Sequence, residues 1–340
     1  MKSLIQRLAF ALVMPGLGAA LWLSACAGTA PSNASTSRLN VVSTVAPVVN
    51  IIYNIGGDKI DLVGIIPEGT DSHTFEPAPS DAVKLAKGDL IFVNGLDLEA
   101  PTVKLARATK KAGADIIELG PQTIQPGDYV FDFSFPKAEG HPNPHVWMNP
   151  LFTLRYAEIV KEALSKRDPA NASFYQGNYD KFQARIKELD AAIMQAVQSV
   201  PAGQRKLLTY HDSFAYFALR YPVVVIGAIQ PADFAEPSAQ EVAALIKQVQ
   251  AEGVPAIFGS EVFPSKVLEQ IGREAHVRYV DTLRDDELPG NHGDRLHSYF
   301  GLMIEDVTTM VSALGGDASP MSRVDPSNIP GPDTNVEQKK

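Results

Sequence analysis

LNVVSTVAPVVNIIYNIGGDKIDLVGII (39–66) holds three secondary-structure elements in one short run. Its β-branched opening, 39–46, reads as a strand. PVVNIIYNI begins on a proline suited to a first helical turn and is closed by Gly56-Gly57, so it reads as a helix. IDLVGII (60–66) is a second strand. A strand, a helix and a strand in immediate succession form a βαβ unit, whose two strands run parallel through a right-handed crossover.

The pattern continues outward. A helix over 79–87 precedes the strand DLIFVNG (89–95), and a helix over 98–112 precedes ADIIEL (114–119). The second half repeats the alternation: strands at 206–210, 222–228, 256–260 and 277–281, with helices near 213–220, 238–251, 264–275 and 296–313. No sequence repeat links the halves; they share only the pattern. Between them, 151–166 and 171–199 read as helices separated by Asp168-Pro169. In the second of these, Phe174, Phe182, Ile186, Leu189, Ile193 and Val197 recur at helical spacing. The expected fold is therefore α/β: two βαβ lobes with mostly parallel sheets, bridged by one long rigid interdomain helix. The lobes are assigned to 38–150 and 201–314, with the interdomain helices at 151–200.

Composition sets the outer limits. The chain has 340 residues, 45% hydrophobic and 20% charged, which is ordinary globular stock. Thirty-nine acidic against 30 basic residues give a net charge of −9, so no basic footprint for nucleic acid exists. The single cysteine, Cys26, rules out an intramolecular disulfide and a cysteine-rich zinc site.

Both ends read differently from the body. Lys2 and Arg7 are followed by an apolar run from Leu8 to Leu23, too short and too interrupted for a comfortable membrane span. It ends Leu23-Ser24-Ala25-Cys26, which resembles a lipoprotein processing box. Residues 1–25 are thus expected to be a removed signal peptide, with Cys26 the lipid attachment site and 26–37 a flexible tether. The stretch 315–340, with four prolines and no apolar period, is expected to be a disordered tail.

The histidines carry the chemistry. His73 lies just after the strand 60–66, His211 directly follows KLLTY (206–210), and His145 sits in HPNPHVWMNP before the interdomain helices. Asp281 ends the strand VRYVD, with Asp285 and Asp286 close by as competitors. Ligands in open α/β sheets bind beyond the carboxyl ends of strands. Two residues from each half could therefore meet in one cleft, and three imidazoles with one carboxylate suit a borderline divalent metal. His141, four positions before His145, is a possible accessory ligand. His276, His292 and His297 are expected to have no metal role. Four protein ligands close a zinc sphere, which suits capture, whereas a hydrolase would keep an open position and a general base such as Asp281 or Glu261.

At these residues the chain resembles the zinc/manganese solute-binding lipoproteins of ABC importers. The resemblance rests on IGGDKIDLVGIIPEGTDSHTFEP, PSDAVKLAKGDLIFVNGLDLE, NPHVWMNP, LLTYHDSFAYFA, VDTLRDD and GDRLHSYFGLM, and it covers about Val41 to Leu314. It implies metal ligands at His73, His145, His211 and Asp281, with the metal buried between two lobes. It further implies a monomeric, non-enzymatic carrier of one Zn(2+) or Mn(2+), with an ABC permease and its cytoplasmic ATPase as partners. The location implied is extracytoplasmic, lipid-anchored to the bacterial membrane. With His211 in the third place, nitrogen outnumbers carboxylate and zinc is favoured over manganese. A surface adhesin of the same fold is a remoter reading. The loop 131–144 carries His141 alone among histidines, which argues against a metal-scavenging loop.

Overall fold

A computed structural model of the chain describes residues 38–231, 237–260 and 265–338. The expected signal peptide, tether and Cys26 lie outside these residues.

The first half comprises β1 (Leu39–Ser43), α1 (Ala46–Gly56), β2 (Ile60–Gly64), α2 (Pro79–Lys87), β3 (Leu90–Val93), α3 (Ala100–Thr109), β4 (Asp115–Glu118) and a short α4 (Leu119–Thr123). Two helices follow, α5 (Pro150–Arg167) and α6 (Ala172–Ser199). The second half is β5 (Lys206–Thr209), α7 (Ala215–Arg220), β6 (Val224–Ala228), α8 (Ala239–Glu252), β7 (Ala256–Ser260), α9 (Lys266–Ala275), β8 (Arg278–Leu283) and α10 (Tyr299–Ala313).

Each half forms a four-stranded parallel sheet, ordered β2-β1-β3-β4 in the first and β6-β5-β7-β8 in the second. The two orders are equivalent, so the shared pattern in the sequence is a shared topology. In both sheets the order reverses beside the first strand, the place where an α/β sheet opens a crevice at its carboxyl end.

The main core unites Val41, Leu90 and Phe92 of the first sheet, Leu207 and Phe258 of the second, and the buried faces of α1, α5, α6 and α10. Smaller cores fill the outer faces, under α2 and α3 in the first half and under α8 and α9 in the second. Helix α6, 28 residues long, extends about 42 Å. Its stripe of Phe182, Ile186, Leu189, Ile193 and Val197 is buried as its periodicity predicts, while Phe174 stays half-buried. Asn178 Nδ2 donates to the Ile55 carbonyl at 3.0 Å in the first half. Asp190 accepts from Arg220 Nε and Nη2 at 2.8 and 2.6 Å in the second. The Phe182 ring meets Phe300 of α10 at 5.1 Å between centroids. One helix is therefore anchored by side chains of both halves.

The stretch 315–338 is not the disordered tail its composition suggests. Met321 and Val324 are buried. Tyr53 Oη donates to the Pro332 carbonyl at 2.7 Å, and Asn54 Nδ2 to Asn328 Oδ1 at 2.9 Å. Glu337 pairs with the free edge of β2, accepting from Gly64 N at 2.9 Å and donating to the Leu62 carbonyl at 3.1 Å. The segment is an irregular strap whose backbone groups are satisfied by side chains of α1 and by a strand edge, and it covers that edge.

Candidate metal centre

His73 follows β2 in a loop fixed by Asp71, whose carboxylate accepts from His73 N and Thr74 Oγ1 at 2.9 Å each. His145 stands just before a buried turn, Val146–Met148, that leads into α5. Asn149 caps that helix, its side chain accepting from Leu151 N at 3.0 Å. His211 lies two positions beyond β5, after Tyr210 N has bonded the Phe258 carbonyl at 2.7 Å.

These three side chains converge. The Nε2 atoms of His73 and His145 are 3.3 Å apart, those of His73 and His211 3.1 Å, and those of His145 and His211 2.9 Å. His145 is fully buried and His211 is 2% exposed. Their outer nitrogens are held: His145 Nδ1 meets Asn143 Oδ1 at 2.8 Å, and His211 Nδ1 meets Gln230 Oε1 at 2.6 Å. Asn143 cannot turn its amide around, because its Nδ2 donates to the Asp212 carbonyl at 2.7 Å. An amide oxygen can only accept, so Nδ1 carries the hydrogen and Nε2 carries a lone pair aimed inward. Phe135 and Trp147 wall the rings in, with centroids 5.8 and 5.2 Å from His145.

The acidic side of the pocket is Asp285 and Asp286, both nearly fully buried. Ser72 Oγ donates to Asp286 Oδ2. Asp71, His73 and Asp286 bring ligand atoms within 4.8 Å of one another. Trp147 Nε1 donates to the Asp285 carbonyl at 3.2 Å, tying the His145 turn to the acidic loop.

Electrostatics follow from this enclosure. Burial, helped by neighbouring His211, holds the His73 imidazole well below its ordinary pKa. Burial with both neighbouring rings does the same to His145. For His211 burial also opposes charge, but the carboxylates of Asp285 and Asp286 outweigh it and raise its pKa. Burial, then repulsion from Asp285, pushes Asp286 up to about 7. The pocket thus favours positive charge at one point, faced by the inward lone pairs of His145 and His211 and backed by two acids.

Asp281 does not join this group. Strand β8 runs on to Leu283, two residues beyond the predicted end, so Asp281 lies inside the strand on its solvent-exposed face. Asp285 and Asp286 leave the true carboxyl end of the strand and turn into the pocket. Asp281, exposed on its strand, is not grouped with the three imidazoles, and Glu261 lies outside the described residues. His141 is exposed, its Nδ1 2.8 Å from Asp97 Oδ2. It lines, with His73, Asp97, Phe135 and Glu139, a cleft of about 300 Å³ leading toward the triad. Leu96 and Asp97, with φ of 55° and 64°, hold one wall of that cleft in a left-handed backbone, a strain that clusters at functional sites. Asn143 and Gln230 escaped the sequence reading. Asn143 had a signal, standing two positions before a histidine between prolines; Gln230 had none beyond its place just past β6.

The fold and this pocket define an α/β substrate-binding protein. A family model described as the periplasmic component A of the zinc-uptake complex matches residues 41–313, and the chain belongs to that family. The iron-binding protein YfeA of Yersinia pestis is 30% identical over 296 residues, covering 86% of this chain and 91% of its own. The manganese ABC transporter substrate-binding lipoprotein PsaA of Streptococcus pneumoniae is 27% identical over 286 residues, covering 83% and 90%. Among solved structures, the periplasmic zinc-binding protein TroA from Treponema pallidum superposes with a TM-score of 0.74 at 26% identity, covering 82% of this chain and 99% of its own. PsaA is named as the substrate-binding component of a transporter, and the chain, a member of this family of substrate-binding proteins, is not an enzyme.

Proposed function

We propose that the protein captures one divalent transition-metal ion, zinc in preference to manganese, among His73, His145 and His211. It then delivers the ion to a membrane permease driven by a cytoplasmic ATPase. The observation that carries this reading is the 2.9 Å separation of two inward Nε2 atoms, His145 and His211, whose rings both donate their N–H outward. Two lone pairs that close repel unless a cation lies between them. A tetrahedral zinc with bonds of about 2.0–2.1 Å sets its ligands about 3.3–3.4 Å apart, close to the 2.9–3.3 Å spacings of the triad. Asp286 supplies the carboxylate that the sequence reading gave to Asp281. Nitrogen-rich coordination supports zinc; the relatives, named for zinc, manganese and iron, support only a metal ion as cargo. The site works outside the cytoplasmic membrane, held there by lipid on Cys26.

The test is metal uptake by cells deleted for the chain and grown with limiting metal. Radiolabelled zinc uptake is expected to fall on deletion, to recover with the wild-type chain, and to stay low with His211→Ala. Recovery of manganese uptake alone would overturn zinc as cargo. Unchanged uptake of both metals would overturn a role in import.

A further inference from the structure

A second knot of ligating side chains lies under the C-terminal strap, apart from the three-imidazole pocket. Glu68, His292 and His297 bring ligand atoms within 4.8 Å of one another. The Glu68 and His297 side chains are 0% exposed, with Glu68 Oε1 3.3 Å from His297 Nε2. Asp333 Oδ2, from the strap, is 3.4 Å from His297 Nε2 and 3.2 Å from His292 Nδ1. The two imidazoles meet edge to face, centroids 4.4 Å apart.

Three features distinguish this knot from an ordinary buried ion pair. A charge-assisted N–H···O contact closes to about 2.7–2.9 Å, whereas the two ligand atoms Glu68 Oε1 and His297 Nε2 stand 3.3 Å apart. That longer spacing is the edge of a coordination tetrahedron with bonds of about 2.0–2.1 Å. Second, both rings have their Nδ1 backed, His292 by the Asp333 carboxylate and His297 by the Pro289 carbonyl at 3.3 Å. Backing of this kind orients metal-bound imidazoles and assigns Nε2 as the ligand atom; Asn143 and Gln230 do the same for the cargo pocket. Third, the Glu68 carboxylate and the His297 imidazole are both wholly out of water, with their ligand atoms and those of His292 within 4.8 Å of one another. This is a mixed nitrogen and oxygen set of the kind zinc takes.

We propose that Glu68, His292 and His297 bind a second divalent ion of the zinc class, backed by Asp333, and that this ion fastens the strap to the body. The site joins three segments: the loop after β2, the segment before α10 and the strap. Gly293 N also donates to Asp333 Oδ1 at 2.8 Å, closing the same junction. Glu68 shares its loop with His73, and His292 shares its segment with Asp286, so the second ion braces two walls of the cargo pocket while serving as structure, not cargo.

The experiment isolates the new site by disabling the first. The full chain carrying His145→Ala and His211→Ala is dialysed against zinc and analysed for metal content. One zinc per chain is expected, falling to none when Glu68→Gln and His297→Gln are added. No bound zinc in the first variant, or zinc surviving in the second, overturns the proposal. Should the second variant fail to fold, cobalt(II) absorption on the first decides alone: visible bands of tetrahedral intensity are expected, and their absence overturns the site. Chelation of the first variant should also speed proteolytic cleavage within 319–338, and an unchanged rate would overturn the fastening role.

Discussion

His145 and His211 face each other through Nε2 atoms 2.9 Å apart, while each gives its N–H to an amide oxygen on the far side of its ring. A proton or a metal ion between the two nitrogens relieves that contact. Binding to the folded state alone stabilises it by about 2.7 kcal/mol at a free metal concentration 100 times Kd. Zinc is therefore expected to raise the melting temperature of the wild-type chain. His211→Ala should remove most of the part that depends on the triad, whereas His276→Ala, at the αL cap of α9, should leave it intact. Calorimetry with and without metal checks this, and equal losses in the two variants would refute the ligand set.

Protons compete for the same place, and the sign follows from the shifts. The pKa of His211 is raised by Asp285 and Asp286, so it takes a proton above the ordinary imidazole range. Asp286, pushed up to about 7, is also partly protonated near neutrality. Both protons must leave before an ion enters, so affinity should be level above pH 8 and fall steadily below about pH 7, by up to about tenfold per pH unit for each proton displaced. Equilibrium dialysis from pH 8 to pH 5 measures this. Retention that stays flat over that range is incompatible with three neutral imidazoles as ligands.

Asn143 holds His145 twice, its Oδ1 accepting from Nδ1 at 2.8 Å and from the backbone N at 3.1 Å. Asn143→Ala frees the ring to rotate and to change tautomer without touching the metal. The expected loss of zinc affinity is about 10–100-fold, the range seen when backing groups of metal-bound histidines are removed. Competition titration against a chelator reads it directly. An affinity within about twofold of wild type would show that packing by Phe135 and Trp147 alone fixes the ring.

How much of this was legible in the sequence depends on which force set each feature. β-rich runs separated by helical periods gave both sheets, because parallel strands buried on two faces must be apolar throughout. His73 and His211 were readable because strand ends deliver side chains to one crevice, and His145 because its loop leads from the first half into α5. Asp281 misled because a strand end is a matter of two residues. β8 continues through Thr282 to Leu283, and that slip moves the acid from the pocket to the surface. The strap misled for another reason: its order comes from Tyr53, Asn54 and the β2 edge, partners more than 250 positions away that no local pattern records. His292 and His297 read as surface residues on the same ground, since Asp333 and Glu68 reach them only through the fold.

Cys26 is the residue on which the proposed lipid anchor rests, and it lies outside the described residues. Cys26→Ser removes the thiol that a lipoprotein pathway modifies. The variant is expected in the soluble fraction after cell disruption, the wild type with the membranes. If the serine variant still sediments with membranes, another segment holds the protein there and the lipid anchor is wrong.

The strap is also a matter of stability. Met321 is 1% exposed and packs in the main core beneath α6 and α10, and Arg185 of α6 donates to the Ser327 carbonyl. Truncating such a buried side chain leaves a cavity as well as losing transfer free energy, so Met321→Ala should destabilise the chain by about 2–5 kcal/mol. Tyr53→Phe, which deletes only the hydroxyl bonded to Pro332, should cost about 1 kcal/mol. Denaturant titration of the metal-free protein measures both without interference from bound ions. Residues that take no part in the folded body can be truncated at no cost, so two variants with wild-type midpoints would return 315–338 to the disordered state its composition suggests. A loss in both, with the larger at Met321, would mean that the strap unfolds with the body and that its burial, more than its hydrogen bonds, keeps it in place.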